Sequence, residues 1–242
     1  MRSFGQTRSR VVGAVVGGVL LVCGLAGMGS AHGDHLAVAR IYGRTYGEWS
    51  AQWWQWAHAF PAATNPLLQE GPVDCSRGQS GPVWFLAGTL GGEADRTCTI
   101  PHGKALLFPL VNADFVNVPG DCGRAEGCTE AEKRHLLEAH LNQACQLAST
   151  LDGVPTVFSH ITVRTQSPIF RVAIGDDDVF GLPAGTVDDA AVADGFWVLL
   201  PPLSTGEHVL RFQGSLCAAE TREPFLTVEV IYHLTIAPHD RP

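Results

Sequence analysis

The sequence predicts an α+β fold that is mainly β: an antiparallel β-sandwich of jelly-roll or immunoglobulin-like type, with two helices packed on it. Three observations carry this expectation. After Asp152-Gly153 the chain reads as short apolar runs broken by Gly, Pro and Asp clusters, the rhythm of strands and turns. Before that point, two capping-box signatures mark two helix starts. Six cysteines, Cys75, Cys98, Cys122, Cys128, Cys145 and Cys217, supply an even set of the kind that staples exported domains.

Thr45 and Glu48 have the spacing in which a hydroxyl and a carboxylate satisfy orphan amides, so the first helix starts there. Four of the chain's six tryptophans then fall within eight positions. Tyr46, Trp49, Trp53, Trp56 and Phe60 follow steps of three and four, which lays them on one helix face, and Pro61 stops the helix. Such a stripe packs on a sheet. Trp54 lies off the stripe and, with Gln55, is the position expected to meet a ligand. Val83–Leu90 and Ala105–Val111 read as buried strands, with a Gly-rich turn between them and Pro109 marking an edge or a bulge. Thr129 and Glu132 form the second capping box. Leu136, Leu137, His140, Leu141, Ala144 and Ala148 continue at helical spacing, which extends this helix from about Glu130 to Ala148. Strands are expected at Ile161–Arg164, Phe170–Ile174, Phe196–Leu200, His208–Phe212 and Phe225–Ile236, the last alternating as if one face were wet.

Arg2, Arg8 and Arg10 precede an apolar run from Val11 to Met28 and the small residues Gly29-Ser30-Ala31, the pattern of a secretory signal. Residues 1–31 are therefore read as a leader and 32–242 as one β-rich domain, helix-containing to about residue 150 and all-β after it. Cleavage is expected after Ala31 or Gly33. No second apolar run has membrane length, so no transmembrane segment is expected in the mature form. Losing the three leader arginines takes the formal charge from −8 to −11, with basic residues nowhere clustered, which excludes nucleic acid as a natural partner. Six cysteines allow fifteen pairings. Cys122 with Cys128 and Cys75 with Cys98 are the shortest closures, but spacing alone does not choose. Without a C-x-x-C pair, disulfides are favoured over zinc.

Five stretches, 46–56 (YGEWSAQWWQW), 81–88 (GPVWFLAG), 100–105 (IPHGKA), 194–200 (DGFWVLL) and 202–208 (PLSTGEH), together resemble a family of exported, functionally uncharacterised prokaryotic proteins. The resemblance spans most of the mature chain and implies export without implying an activity. Where that family favours a small residue after the proline of the third stretch, this chain has His102.

Most catalytic templates fail. Gly78-Gln79-Ser80-Gly81 meets Pro82 where a nucleophile elbow needs glycine, so a serine hydrolase is not expected. His135 and His140 are five residues apart and point about 140° away from each other on a helix, which breaks the zincin pattern. Asp176-Asp177-Asp178 departs from the calcium-loop pattern at its fifth and twelfth positions, although Asp188, Asp189 and Asp194 could join it in space. Two constellations remain. Glu48, flanked by Gln52 and Gln55, is placed to meet His102, Lys104 or His208 in an acid/base cleft. Alternatively His32, freed as an N-terminus by cleavage after Ala31, would chelate copper with its amine and imidazole, completed by His35, His102, His208 or His233. The expectation is a binding or envelope-associated structural module for an extracellular or envelope ligand. The alternative is a secreted metal-dependent or acid/base enzyme.

Overall fold

Residues 39–156 and 162–238 are described by a computed structural model. Helix α1 (Tyr46–Ala57) begins as its capping box dictates: the Thr45 hydroxyl accepts from the Glu48 amide and the Glu48 carboxylate from the Thr45 amide. Its aromatic stripe is buried, with Trp53 fully so. The Trp53 indole N–H donates to the Leu86 carbonyl at 3.0 Å, and its ring meets Trp197 edge-on at 5.5 Å. The helix lies so close to its sheet that a Cβ at Gly47 would stand 2.6 Å from the Gln166 carbonyl oxygen.

Among the described residues, eleven strands form two packed sheets. They are β1 (Gly71–Pro72), β2 (Val83–Phe85), β3 (Gly92–Pro101), β4 (Ala105–Phe115), β5 (Ala144–Leu151), β6 (Val154–Pro155), β7 (Thr162–Gln166), β8 (Phe170–Ala173), β9 (Val187–Leu200), β10 (Gly206–Cys217) and β11 (Pro224–Ala237). One sheet has the order β1-β3-β11-β10-β5-β6; the other runs β2-β4-β9-β7, with β8 also on β9. Between the sheets, Leu106, Phe108, Leu110 and Val198 meet Ile100, Phe212, Val230 and Tyr232. The far face of the second sheet carries Ala105, Leu107, Trp197 and Leu199 against the tryptophans of α1. Helix α2 (Glu130–Leu141) packs on β9 and β4. A sheet covered on both faces needs apolar residues at successive positions, which is why β4 reads ALLFPLV without alternation, whereas β11, with one wet face, alternates.

The sandwich with two packed helices is as expected, and most ladders are antiparallel, but β1–β3, β3–β11 and β2–β4 pair in parallel. The cause is the crossing of the chain between sheets: β3 lies in the first sheet between β2 and β4 of the second, so β2 and β4 are not hairpin neighbours and need not run opposite. Pro109 sits at a register shift on β9, so its missing N–H falls at a bulge and not at an edge.

Three element expectations are corrected. The strand at Val83–Leu90 ends at Phe85. The second helix ends at Leu141, and Ala144–Leu151 forms β5 instead, because pairing with β10 and the Cys145–Cys217 disulfide capture that segment. The expected Gly-rich turn between the early strands contains the ten-residue β3. Its charges hid it. Glu93 and Asp95 face outward while Ala94, Arg96, Cys98 and Ile100 face the core, and Arg96 is only 1% exposed. Its guanidinium donates to the carbonyls of Gln69, Ala87 and Gly88 and to the Tyr232 hydroxyl, all within 2.9 Å. A buried cation is tolerable when its donors are satisfied. The disulfides are Cys75–Cys98, Cys122–Cys128 and Cys145–Cys217. The leader expectation concerns residues outside the described ones.

Candidate functional site

The end of α1 delivers a histidine that the sequence did not single out. His58 caps the helix C-terminus, where the helix dipole favours a cation. Its Nε2 lies 2.9 Å from Asp114 Oδ2 on β4, and its Nδ1 lies 3.4 Å from Asp178 Oδ1 in the β8–β9 connection. Asp178 is itself fixed, since its other oxygen accepts from the amides of Phe180 and Leu182. Phe180 packs on the imidazole at 4.6 Å and Trp54 at 5.8 Å. The side chains of His58 and Asp178 are 2% and 1% exposed. Burial pulls the imidazole pKa down, but hydrogen bonds and charge from the two carboxylates outweigh it and raise the pKa from 6.5 to about 9. The Asp178 carboxyl is lowered: burial opposes ionisation, and the His58 bond with the two amides overcomes it. At neutral pH His58 is therefore a fixed imidazolium and not a general base.

His58 and Asp178 line an open cleft of about 350 Å³ whose other walls include Phe60, Pro61, Ala173 and Asp176. One imidazolium against Asp178 and Asp176 leaves the cleft walls net negative, beside the apolar surface of Phe60 and Pro61. Such a cleft can hold a cation carried on an apolar body. Among the described residues, no group of three or more His, Cys, Asp and Glu side chains is arranged to hold a metal ion.

The chain matches no family model, no curated protein and no solved structure.

The residues singled out from sequence are dispersed. Glu48 completes the capping box and pairs with Arg40 at 3.2 Å. Lys104 donates to the Gly81 carbonyl and lies over Trp84, while His102 occupies the exposed turn between β3 and β4. His208 bonds Asp152 and Ser204. Glu48 thus meets none of the three expected partners; its Oε2 accepts from the Thr45 amide at the helix start and from Arg40. Trp54, expected to lie off the packed face and meet a ligand, is buried at 5% exposure against Trp53, His58 and Phe180. That is a correction: the β8–β9 connection covers the flank of α1 that helical spacing left open. Gln55 is exposed and donates to the Arg171 carbonyl. His233 pairs with Asp95 at 3.2 Å on the outer face of the first sheet. The acids considered for calcium do not converge. Asp188 holds Lys133, Asp189 holds Arg171, Asp194 holds Arg164 and Asp178 holds His58. His32 and His35, the copper candidates, lie outside the described residues.

One signal for the missed site was available, a histidine placed at the C-terminal end of a capped helix. Its partners are 56 and 120 residues away, beyond any local pattern.

Proposed function

We propose that the protein is an exported binding module and that the cleft at the end of α1 receives its ligand, a small cation with an apolar body. The observation that carries this reading is an open cleft lined by the buried His58 and Asp178 together with Phe60, with Asp114 on the other ring nitrogen of His58. Buried titratable groups brought to a concave surface are an expensive arrangement that marks functional sites more often than random surface. Three disulfides and the leader-like N-terminus support work in an oxidising, extracytoplasmic compartment. Among the described residues no helix is long and apolar enough to cross a membrane.

Trp54, packed on His58, supplies an intrinsic reporter of occupancy. Titration with phenethylamine should change tryptophan fluorescence saturably, whereas phenylacetate, with the opposite charge on a similar body, should not. Asp176→Asn should weaken the amine response. Equal responses to amine and acid, or none to either, would refute the reading. A second reading, an enzyme acting on an extracellular substrate, has one specific observation behind it: the surroundings of His208.

A further inference from the structure

His208 is the third residue of β10 and stands between two oxygens of different kinds. Its Nδ1 lies 2.7 Å from Asp152 Oδ2, and its Nε2 lies 3.2 Å from the Ser204 hydroxyl. A hydroxyl on one ring nitrogen and a carboxylate on the other is the arrangement that activates a serine nucleophile: the carboxylate fixes the tautomer, leaving the far nitrogen to accept the hydroxyl proton. Asp152 is 56 residues from His208 in sequence, and two features hold it there. It occupies the first position of a two-residue turn, with Gly153, joining β5 to β6, where both residues have positive φ (52° and 79°). Its Oδ1 accepts from the Val209 amide at 2.8 Å, which anchors the carboxylate independently of the imidazole.

The turn does not explain the charge. Asparagine suits a turn of this type as well as aspartate does, and only the acid supplies the negative charge that an imidazolium forming on His208 would need. Nor does burial explain the serine, since Ser204 is exposed and water would satisfy its hydroxyl.

We propose that Ser204 is a nucleophile, His208 its general base and Asp152 the positioning residue of a site that hydrolyses carboxylic esters. In the first step Ser204 Oγ bonds to the acyl carbon as its proton passes to His208 Nε2. The ester C–O bond then breaks, and the leaving alcohol departs with that proton. Water repeats the sequence on the acyl-serine, so that ester and water become acid and alcohol and the hydroxyl is restored. An exposed serine suits an acyl group presented on a substrate larger than the site. The neighbouring Asp152 and Glu207 carboxylates disfavour anionic esters. This site stands apart in residues from the cleft at His58, and neither reading depends on the other.

The resting geometry also sets when the serine is armed. His208 Nε2 lies 3.0 Å from the Ser204 carbonyl, a bond that only a protonated Nε2 can donate. The Asp152 carboxylate, with smaller contributions from the Ser204 carbonyl and Glu207, holds the imidazole above its ordinary range, against the effect of burial. Protonated, the ring serves the carbonyl; neutral, it serves the hydroxyl. Asp152 faces it from the β5–β6 turn and Glu207 from its own strand.

The test is labelling of the intact protein by a fluorophosphonate, in which the P–F bond breaks, Oγ bonds to phosphorus and fluoride leaves, followed by peptide mapping. The expected result is an adduct on Ser204 that forms faster as pH rises above the usual histidine range. It should be absent in Ser204→Ala and slowed at least tenfold in both His208→Gln and Asp152→Asn. Hydrolysis of p-nitrophenyl acetate should fall in parallel, and Asp152→Asn, which keeps the turn, should melt near the wild-type temperature. No adduct on Ser204, or an adduct that forms equally fast without His208, would overturn the proposal.

Discussion

Raising the pH should destabilise this protein through His58. Its folded pKa of about 9 stands above the 6.5 of an unfolded chain, so the folded state binds the proton more tightly. The contribution is fully present below pH 6.5 and is lost as pH rises through about 9. A difference of about 2.5 units corresponds to about 3 kcal/mol at 1.36 kcal/mol per unit. No discount for solvent screening is needed, because the side chain is 2% exposed. Replacement gives an independent figure: His58→Asn leaves Asp114 and Asp178 without their cation, and breaking a buried pair this way costs about 3–5 kcal/mol. Urea denaturation of wild type and His58→Asn at pH 6, 8 and 10 checks both. Wild type should lose about 3 kcal/mol more than the variant between pH 6 and 10. Parallel pH profiles, or a variant as stable as wild type at pH 6, would show that the imidazolium is not what holds the helix end to β4 and to the β8–β9 connection.

Truncation of Trp53, Trp54 or Trp56 to alanine should cost about 3–5 kcal/mol at each position, measured by denaturant melts, since all three rings are buried; a near-neutral Trp54→Ala would restore the exposed placement read from helical spacing. Non-reducing peptide mapping should recover the pairs 75–98, 122–128 and 145–217 with no free thiol among them. Removing Cys145–Cys217, which spans 72 residues, should cost about 4 kcal/mol on the chain-entropy account, more than removing the short Cys122–Cys128 loop. Glu93 and Glu229 are register partners on the outer face of parallel neighbours β3 and β11, so Glu229→Lys should raise thermal stability by about 0.2–1 kcal/mol, replacing repulsion with attraction.

Local chemistry was legible in the sequence wherever a pattern closes within a few residues. Both capping boxes form as spaced, because each needs only a hydroxyl and a carboxylate three positions apart. The aromatic stripe faces the sheet, the bulge falls at Pro109, and the Asp152-Gly153 turn forms where its two residues permit positive φ. Fold class followed from such signals added along the chain. Tertiary structure decided the rest, because those choices depend on groups far apart in sequence. Helical spacing continued through Ala148, yet a disulfide and a ladder to β10 made that segment a strand. A charged stretch became β3 because Arg96 found partners in Leu67, Gln69, Ala87, Gly88 and Tyr232. The covering of Trp54, the two aspartates on His58 and the carboxylate on His208 arise in the same way, since periodicity records which face of an element is apolar but not which distant residue will stand opposite it.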